Sequence, residues 1–251
     1  MNSYGTGRTA VITHGVQSVA DHWAEVAARL PGRTLVPDRR GRGESGPIGD
    51  DYDLATEVAD LNQVLDEAGP EPVLIGHSYG GAIALLTAAE RDDLAGLVLY
   101  EPTIPVDGPV TGEALDVIGA ALKAGDRSTA FATVLTQVVG DAPEDVESFR
   151  TGDPAGWAAM LELIDSTYAE LAALDRLAYD PSVLKKIKVP TLVILGERSD
   201  REGLVFGPAA RALVDGLDDA ALAVLPGQGH IAHVLDPEAL ADAIRPALKG
   251  F

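Results

Sequence analysis

Six short apolar stretches punctuate the chain, at residues 9–13, 34–37, 72–76, 96–100, 191–196 and 221–226. They are rich in Val, Ile and Leu, show no polar–apolar alternation, and end at Gly, Pro or a polar residue. Such runs suit strands buried on both faces. Between them, residues 22–30, 56–68, 79–91, 208–217 and 237–249 carry apolar positions at helical spacing. The last opens with Asp236-Pro237-Glu238, which supplies an N-cap, a proline at the first helical position and an early acid. Strand alternating with helix predicts an α/β fold, a mostly parallel sheet of about six strands with helices on both faces.

The alternation stops between residues 103 and 188. No strand pattern occurs there, and residues 113–124, 128–139 and 153–173 read as helices, the third opened by Asp153-Pro154. A structureless loop of about 85 residues does not fit a compact domain. The interval therefore reads as a helical lid over the end of the sheet. The expected organisation is an α/β core from residues 1–102 and 189–251, with the lid at 103–188.

Composition narrows the function. With 251 residues, 46% of them hydrophobic, the chain is long enough for a sizeable core and too apolar to be disordered. It has no cysteine, which removes disulfides, thiolate nucleophiles, iron–sulfur clusters and Cys-based zinc sites. The balance of 19 Lys and Arg against 39 Asp and Glu gives a net charge of −20, which argues against nucleic acid or an anionic membrane as a partner. The N-terminal residues lack a signal-peptide pattern, and no apolar run approaches the ~20 residues needed to span a bilayer. A cytoplasmic protein acting on a small molecule, without cofactor or metal, is the expectation.

The chemistry centres on Gly76-His77-Ser78-Tyr79-Gly80-Gly81, which follows one predicted strand and opens a helix. It matches G-x-S-x-G, a sharp strand-to-helix turn that lifts a serine hydroxyl clear of the sheet. The helix N-terminus then lies beneath any negative charge that develops. A five-residue pattern arises by chance, but the strand before it, the helix after it and the glycine pair make it specific.

Together with its flanking motifs, this segment resembles the α/β-hydrolase superfamily over nearly the whole chain. Residues 11–16, ending His14-Gly15-Val16, look like the family's strand that leads into the oxyanion hole. Residues 38–45, Asp38-Arg39-Arg40-Gly41-Arg42-Gly43-Glu44-Ser45, are similar to its D-x-R-G-x-G-x-S turn. Residues 190–196 resemble the strand before the acid, and Gly227-Gln228-Gly229-His230 the loop of the catalytic histidine. Only eight residues precede the first apolar run, so the family's opening antiparallel hairpin is expected to be shortened or absent. The resemblance implies the strand order second, first, third, fourth, fifth, sixth, with Ser78 at the carboxyl end of the third.

It also implies a Ser–His–acid set, since an alcohol needs a base to become a nucleophile. His230 is the expected base; His233 is its competitor, read instead as a packed side chain. His14 and His77 read as loop hydrogen-bonding residues and His22 as a helix-surface residue. His230-x-x-His233 lacks the ligand set of a zinc site. For the acid, Asp200 in the loop after residues 191–196 is the first choice. Glu101, at the end of residues 96–100, is the alternative. The backbone N–H groups of Val16 and Tyr79 are the expected oxyanion donors. Gln17 and Trp23 are candidate substrate contacts, Trp23 reading more readily as core. The Arg39–Arg42 cluster reads as structural, acting through Asp38.

The reaction implied is acyl transfer: hydrolysis of a small-molecule ester, thioester or lactone through an acyl-serine. Serine at the turn argues against dehalogenases and epoxide hydrolases of this family, which carry aspartate there. An acyl-transfer cyclase or lyase using the same residues is the alternative, and a non-catalytic binding module is a third.

Overall fold

The computed structural model describes residues 1–250. Seven strands form one sheet: β1 (Asn2–Gly5), β2 (Thr9–Thr13), β3 (Arg33–Val36), β4 (Val73–His77), β5 (Gly96–Tyr100), β6 (Thr191–Gly196) and β7 (Ala220–Leu225). Their spatial order is β1-β3-β2-β4-β5-β6-β7. The six predicted strands are β2 to β7 and pair in parallel in the expected order. The eight residues before β2 hold more than expected. β1 pairs antiparallel with β3, Asn2 opposite Val36 through Gly5 opposite Arg33, so a single antiparallel strand stands where the sequence predicts a shortened or absent hairpin.

Both faces of the sheet are apolar, as the unbroken hydrophobic runs require. Val11, Leu35, Leu74, Leu97, Leu99, Val193 and Leu195 line one face. They pack under α2 (Leu54–Ala68), α3 (Tyr79–Ala88) and α9 (Phe206–Gly216). Ala10, Ile12, Val73, Ile75, Val98, Tyr100 and Ile194 line the other, covered by α1 (Ala24–Arg29) and α11 (Pro237–Gly250). Alternate residues of one strand thus feed two cores. The edge strand β7 departs from this: Leu222 and Val224 are exposed, so burial on both faces does not extend to it.

Between β5 and β6 the chain runs through helices only: α4 (Ala114–Lys123), α5 (Arg127–Thr133), α6 (Pro143–Gly152), α7 (Pro154–Leu161) and α8 (Ile164–Asp175). The run expected at 128–139 begins as α5 and widens into a π-helical turn at Val134–Val139. The run expected at 153–173 breaks into α7 and α8. The side chains of Asp126 and Asp153 cap α5 and α7 by accepting the Thr129 and Gly156 amides. A short helix, α10 (Ala232–Leu235), follows the β7 loop. No described helix is long and apolar enough to cross a membrane.

Candidate active site

Ser78 sits between β4 and α3 at the carboxyl end of its strand, with φ 55° and ψ −124°. A non-glycine residue at positive φ is strained and must be held by its surroundings. Here four backbone hydrogen bonds do so: the Ser78 amide donates to the Tyr100 carbonyl at 3.1 Å, and the Ser78 carbonyl accepts from Gly81 at 2.8 Å, Thr103 at 3.1 Å and Ala82 at 3.4 Å. The glycines of the motif are required by close approach. A Cβ on Gly76 would lie 2.6 Å from Ala84 Cβ, and one on Gly81 would lie 2.7 Å from Pro102 Cβ. A Cβ on Gly80 would collide with the Thr13 and His14 carbonyls of the neighbouring strand and loop.

The loop after β2 approaches Ser78 just as closely, since a Cβ on Gly15 would lie 2.7 Å from Ser78 Cβ. Val16 follows, and its amide makes no hydrogen bond among the described residues. Tyr79 is the first residue of α3 and has no carbonyl one turn back to bond. Both expected oxyanion donors are therefore unengaged at the serine.

His230 enters from the loop after β7. Its Nδ1 donates to Glu101 Oε2 at 2.7 Å. Glu101 is fully buried at the end of β5, at φ 43°, and its Oε1 accepts the Gly196 amide at 2.7 Å. Phe206 stacks on the imidazole at 4.3 Å, and the His77 ring lies 4.6 Å away. His77 Nε2 donates to the His230 carbonyl at 3.0 Å, and the Tyr100 hydroxyl donates to the Gly229 carbonyl. The residue before the serine thus anchors the histidine loop. Among the described residues no hydrogen bond joins Ser78 Oγ to His230.

Asp200 is not within hydrogen-bond reach of His230, contrary to expectation. A tight 3₁₀ turn at Glu197–Ser199 carries it outward. Its carboxylate, 41% exposed, pairs with Arg211 of α9 at 2.9 Å. The alternative, Glu101, occupies Nδ1 because the Gly196 amide draws its carboxylate across the end of β6.

Of the other histidines, His14, His77 and His233 are buried, while His22 is half-buried near the start of α1 and is held below the usual imidazole range by burial. Burial, reinforced by neighbouring charges, holds His14 and His77 well below the usual imidazole range. Burial brings His233 down to about 3, with its ring stacked on Trp23 at 4.6 Å. Trp23 itself is wholly buried under the sheet, so of the two candidate substrate contacts it belongs to the core.

The arginine cluster acts through partners the sequence did not single out. Arg39 Nη1 lies 2.7 Å from both Glu57 and Glu170, while its Nε and Nη2 donate to the His14 and Gly15 carbonyls at 2.9 Å. Arg42 contacts Glu170 at 2.6 Å and donates to the Ser18 carbonyl at 2.8 Å. Asp38 instead caps the Ala20 amide at 2.8 Å. Glu57 falls on the apolar face of α2 with Leu54, Val58, Leu61 and Leu65, and Glu170 falls on that of α8 with Ile164, Thr167, Leu171 and Leu174. A carboxylate in step with an apolar stripe is the signal that marks both.

Sheet order, serine turn and histidine–carboxylate pair define the class, and comparison with known proteins agrees. The family model described as the alpha/beta hydrolase family matches residues 10–243. The chain belongs to that family. It is 35% identical over 182 residues to the lipase LipV of Mycobacterium tuberculosis, covering 67% of this chain and 69% of that protein. It is 28% identical over 255 residues to the non-heme chloroperoxidase CPO-A1 of Kitasatospora aureofaciens, covering 90% and 86%. Among solved structures, an alpha/beta hydrolase from Sphaerobacter thermophilus superposes with a TM-score of 0.82 at 27% identity, covering 98% of this chain and 95% of that one.

Proposed function

We propose that this protein is a serine hydrolase that cleaves an ester, thioester or lactone of a small molecule through an acyl-enzyme on Ser78. The observation that carries the reading is the 2.7 Å contact between His230 Nδ1 and a fully buried Glu101, beside a serine held at positive φ. A carboxylate on Nδ1 fixes the tautomer whose Nε2 carries a lone pair, and it stabilises the imidazolium that forms. His230 Nε2 removes the Ser78 proton as Oγ attacks the carbonyl. The Val16 and Tyr79 amides receive the oxyanion, and the imidazolium then protonates the leaving group. Water attacks the acyl-serine by the same route in reverse, releasing the acid and restoring Ser78. The serine–histidine hydrogen bond forms in the substrate complex, as such bonds often tighten only then.

Asp200 has no part in this scheme. Residues 103–188 act as the lid: their Thr167 meets the oxyanion loop directly, its Oγ1 accepting the Gln17 amide at 3.3 Å, and their Glu170 pairs with Arg39 and Arg42, which hold the carbonyls of that loop. The named relatives support the reading by including a lipase.

The test is labelling with a fluorophosphonate, with mass spectrometry of the modified peptide, alongside hydrolysis of short-chain p-nitrophenyl esters. The expected adduct is on Ser78, and Ser78→Ala should lose both labelling and turnover. Hydrolysis that persists in Ser78→Ala, or an unlabelled wild-type serine, would overturn the proposal.

A further inference from the structure

Four non-glycine residues of the described chain adopt positive φ: Gln17, Glu71, Ser78 and Glu101. Two of them are the nucleophile and the acid proposed above. Gln17, at φ 51°, directly follows Val16, whose amide is the oxyanion donor of the proposed scheme. Its side chain has no role in the scheme derived so far.

That side chain is costly to the free protein. Gln17 is 8% exposed, and both its Nε2 and its Oε1 are buried with no hydrogen-bond partner. A buried donor or acceptor left unmade forfeits its hydration for nothing, so an amide that misses both bonds is doubly penalised. The loop cannot relax to relieve it. Arg39 holds the His14 and Gly15 carbonyls, Arg42 holds the Ser18 carbonyl, and Thr167 of α8 holds the Gln17 amide. The glutamine is pinned on both sides, one residue from the expected oxyanion donor, with an unused donor and an unused acceptor.

We infer that the Gln17 carboxamide is a substrate-recognition group. It takes a function that both donates and accepts, a hydroxyl or an amide, placed within a few bonds of the scissile carbonyl. Consecutive Cα atoms are about 3.8 Å apart, so a carbonyl held at Val16 brings its near substituents within reach of the Gln17 side chain. The free enzyme closes both amide atoms off from solvent, so the missing bonds form in the complex as the side chain turns about its own bonds toward the substrate while the loop backbone stays clamped. A substrate lacking that group leaves the amide unpaired and is discriminated against. This inference rests on the acyl-serine reading, since it takes its geometry from the oxyanion donor.

Two ester pairs locate the group. On the acyl side, p-nitrophenyl butanoate is compared with p-nitrophenyl 3-hydroxybutanoate. On the alcohol side, ethyl butanoate is compared with 2-hydroxyethyl butanoate. In one pair the wild type should favour the hydroxyl ester in kcat/KM by about tenfold or more, and Gln17→Met should remove about tenfold of that preference. Methionine keeps the length and unbranched shape of glutamine without its polar atoms, and Gln17→Leu replaces it if the first variant does not fold. Because the variant sheds a buried unpaired amide, its Tm should rise by about 2–4 °C or more.

A hydroxyl preference unchanged by Gln17→Met in both pairs overturns the inference while leaving the hydrolase intact. A lowered Tm also overturns it, because the amide would then have a partner in the free enzyme. A wild type that hydrolyses none of the four esters and takes no fluorophosphonate on Ser78 removes the acyl-serine reading and this inference with it.

Discussion

Replacing Glu101 by Gln should all but abolish turnover, and the geometry says why so mild a change is so damaging. The Glu101 carboxylate has two fixed obligations: Oε1 accepts the Gly196 amide at 2.7 Å, and Oε2 accepts from His230 Nδ1 at 2.7 Å. A carboxamide can satisfy the Gly196 N–H only with its oxygen, so its NH2 must face His230. Imidazole Nδ1 then becomes the acceptor, which places the remaining proton on Nε2, where Ser78 needs a lone pair. The variant keeps its fold and its hydrogen bonds and holds the wrong tautomer. An acid-to-amide change of this kind costs on the order of 10⁴ in kcat, or about 5.5 kcal/mol of transition-state stabilisation. Asp200→Asn removes only an exposed pair with Arg211, so it should alter kcat by less than about twofold. Initial rates on p-nitrophenyl butanoate, with circular dichroism to confirm folding, decide the matter. Comparable rates in Glu101→Gln and wild type, or a larger loss in Asp200→Asn, would refute the assignment of Glu101.

Three further outcomes are expected. Ser78→Ala and His230→Ala should each lose several orders of magnitude in kcat, and the double variant little more, because the two act as a unit; additive losses measured on the same ester would argue against that. Glu170→Gln removes the carboxylate that, alone among the described residues, pairs with the buried Arg42, so it should cost about 3–5 kcal/mol in urea unfolding; a loss below about 1 kcal/mol would mean that the cluster is not charge-balanced as described. His233 is held near 3 when folded, against about 6.5 unfolded, so its contribution to stability is complete above about pH 6.5 and lost as the pH falls toward 3. Between pH 7 and 5 it should account for about 2 kcal/mol of the lost stability, and His233→Phe should flatten the urea-midpoint profile by that amount; an unchanged slope would contradict it.

The strands were legible because the sheet is covered on both faces. Where successive residues such as Leu74 and Ile75 enter opposite cores, the sequence must be apolar without alternation, and a short run of that kind stands out. The opening strand had no such signature. Asn2–Gly5 lies at the sheet edge with alternate side chains exposed, and only its pairing with β3 marks it as a strand. The π-helical turn at Val134–Val139 was equally silent, since helical spacing does not reveal how the backbone is wound.

The turn that carries Ser78 and the loop that carries His230 were legible for a different reason, in that local sequence dictates their setting. A turn that brings Gly76, Gly80 and Gly81 against neighbouring backbone and side chains admits almost nothing else, so the motif announces itself. The partner of His230 carries no local constraint of that kind. Any carboxylate at the carboxyl edge of the sheet is a candidate from sequence, and the choice turns on which one meets a second anchor. Glu101 finds it in the Gly196 amide, one strand over, where a Cβ would lie 2.7 Å from its Oε1 and glycine alone leaves room. Asp200, four residues beyond that glycine and just past the turn, finds Arg211 on the solvent side. Both anchors are long-range facts, fixed by how β5, β6 and α9 pack, and neither is written in the residues beside the acid. The same holds for Gln17, whose two missing hydrogen bonds exist as a deficit only once the loop around it has been folded and clamped.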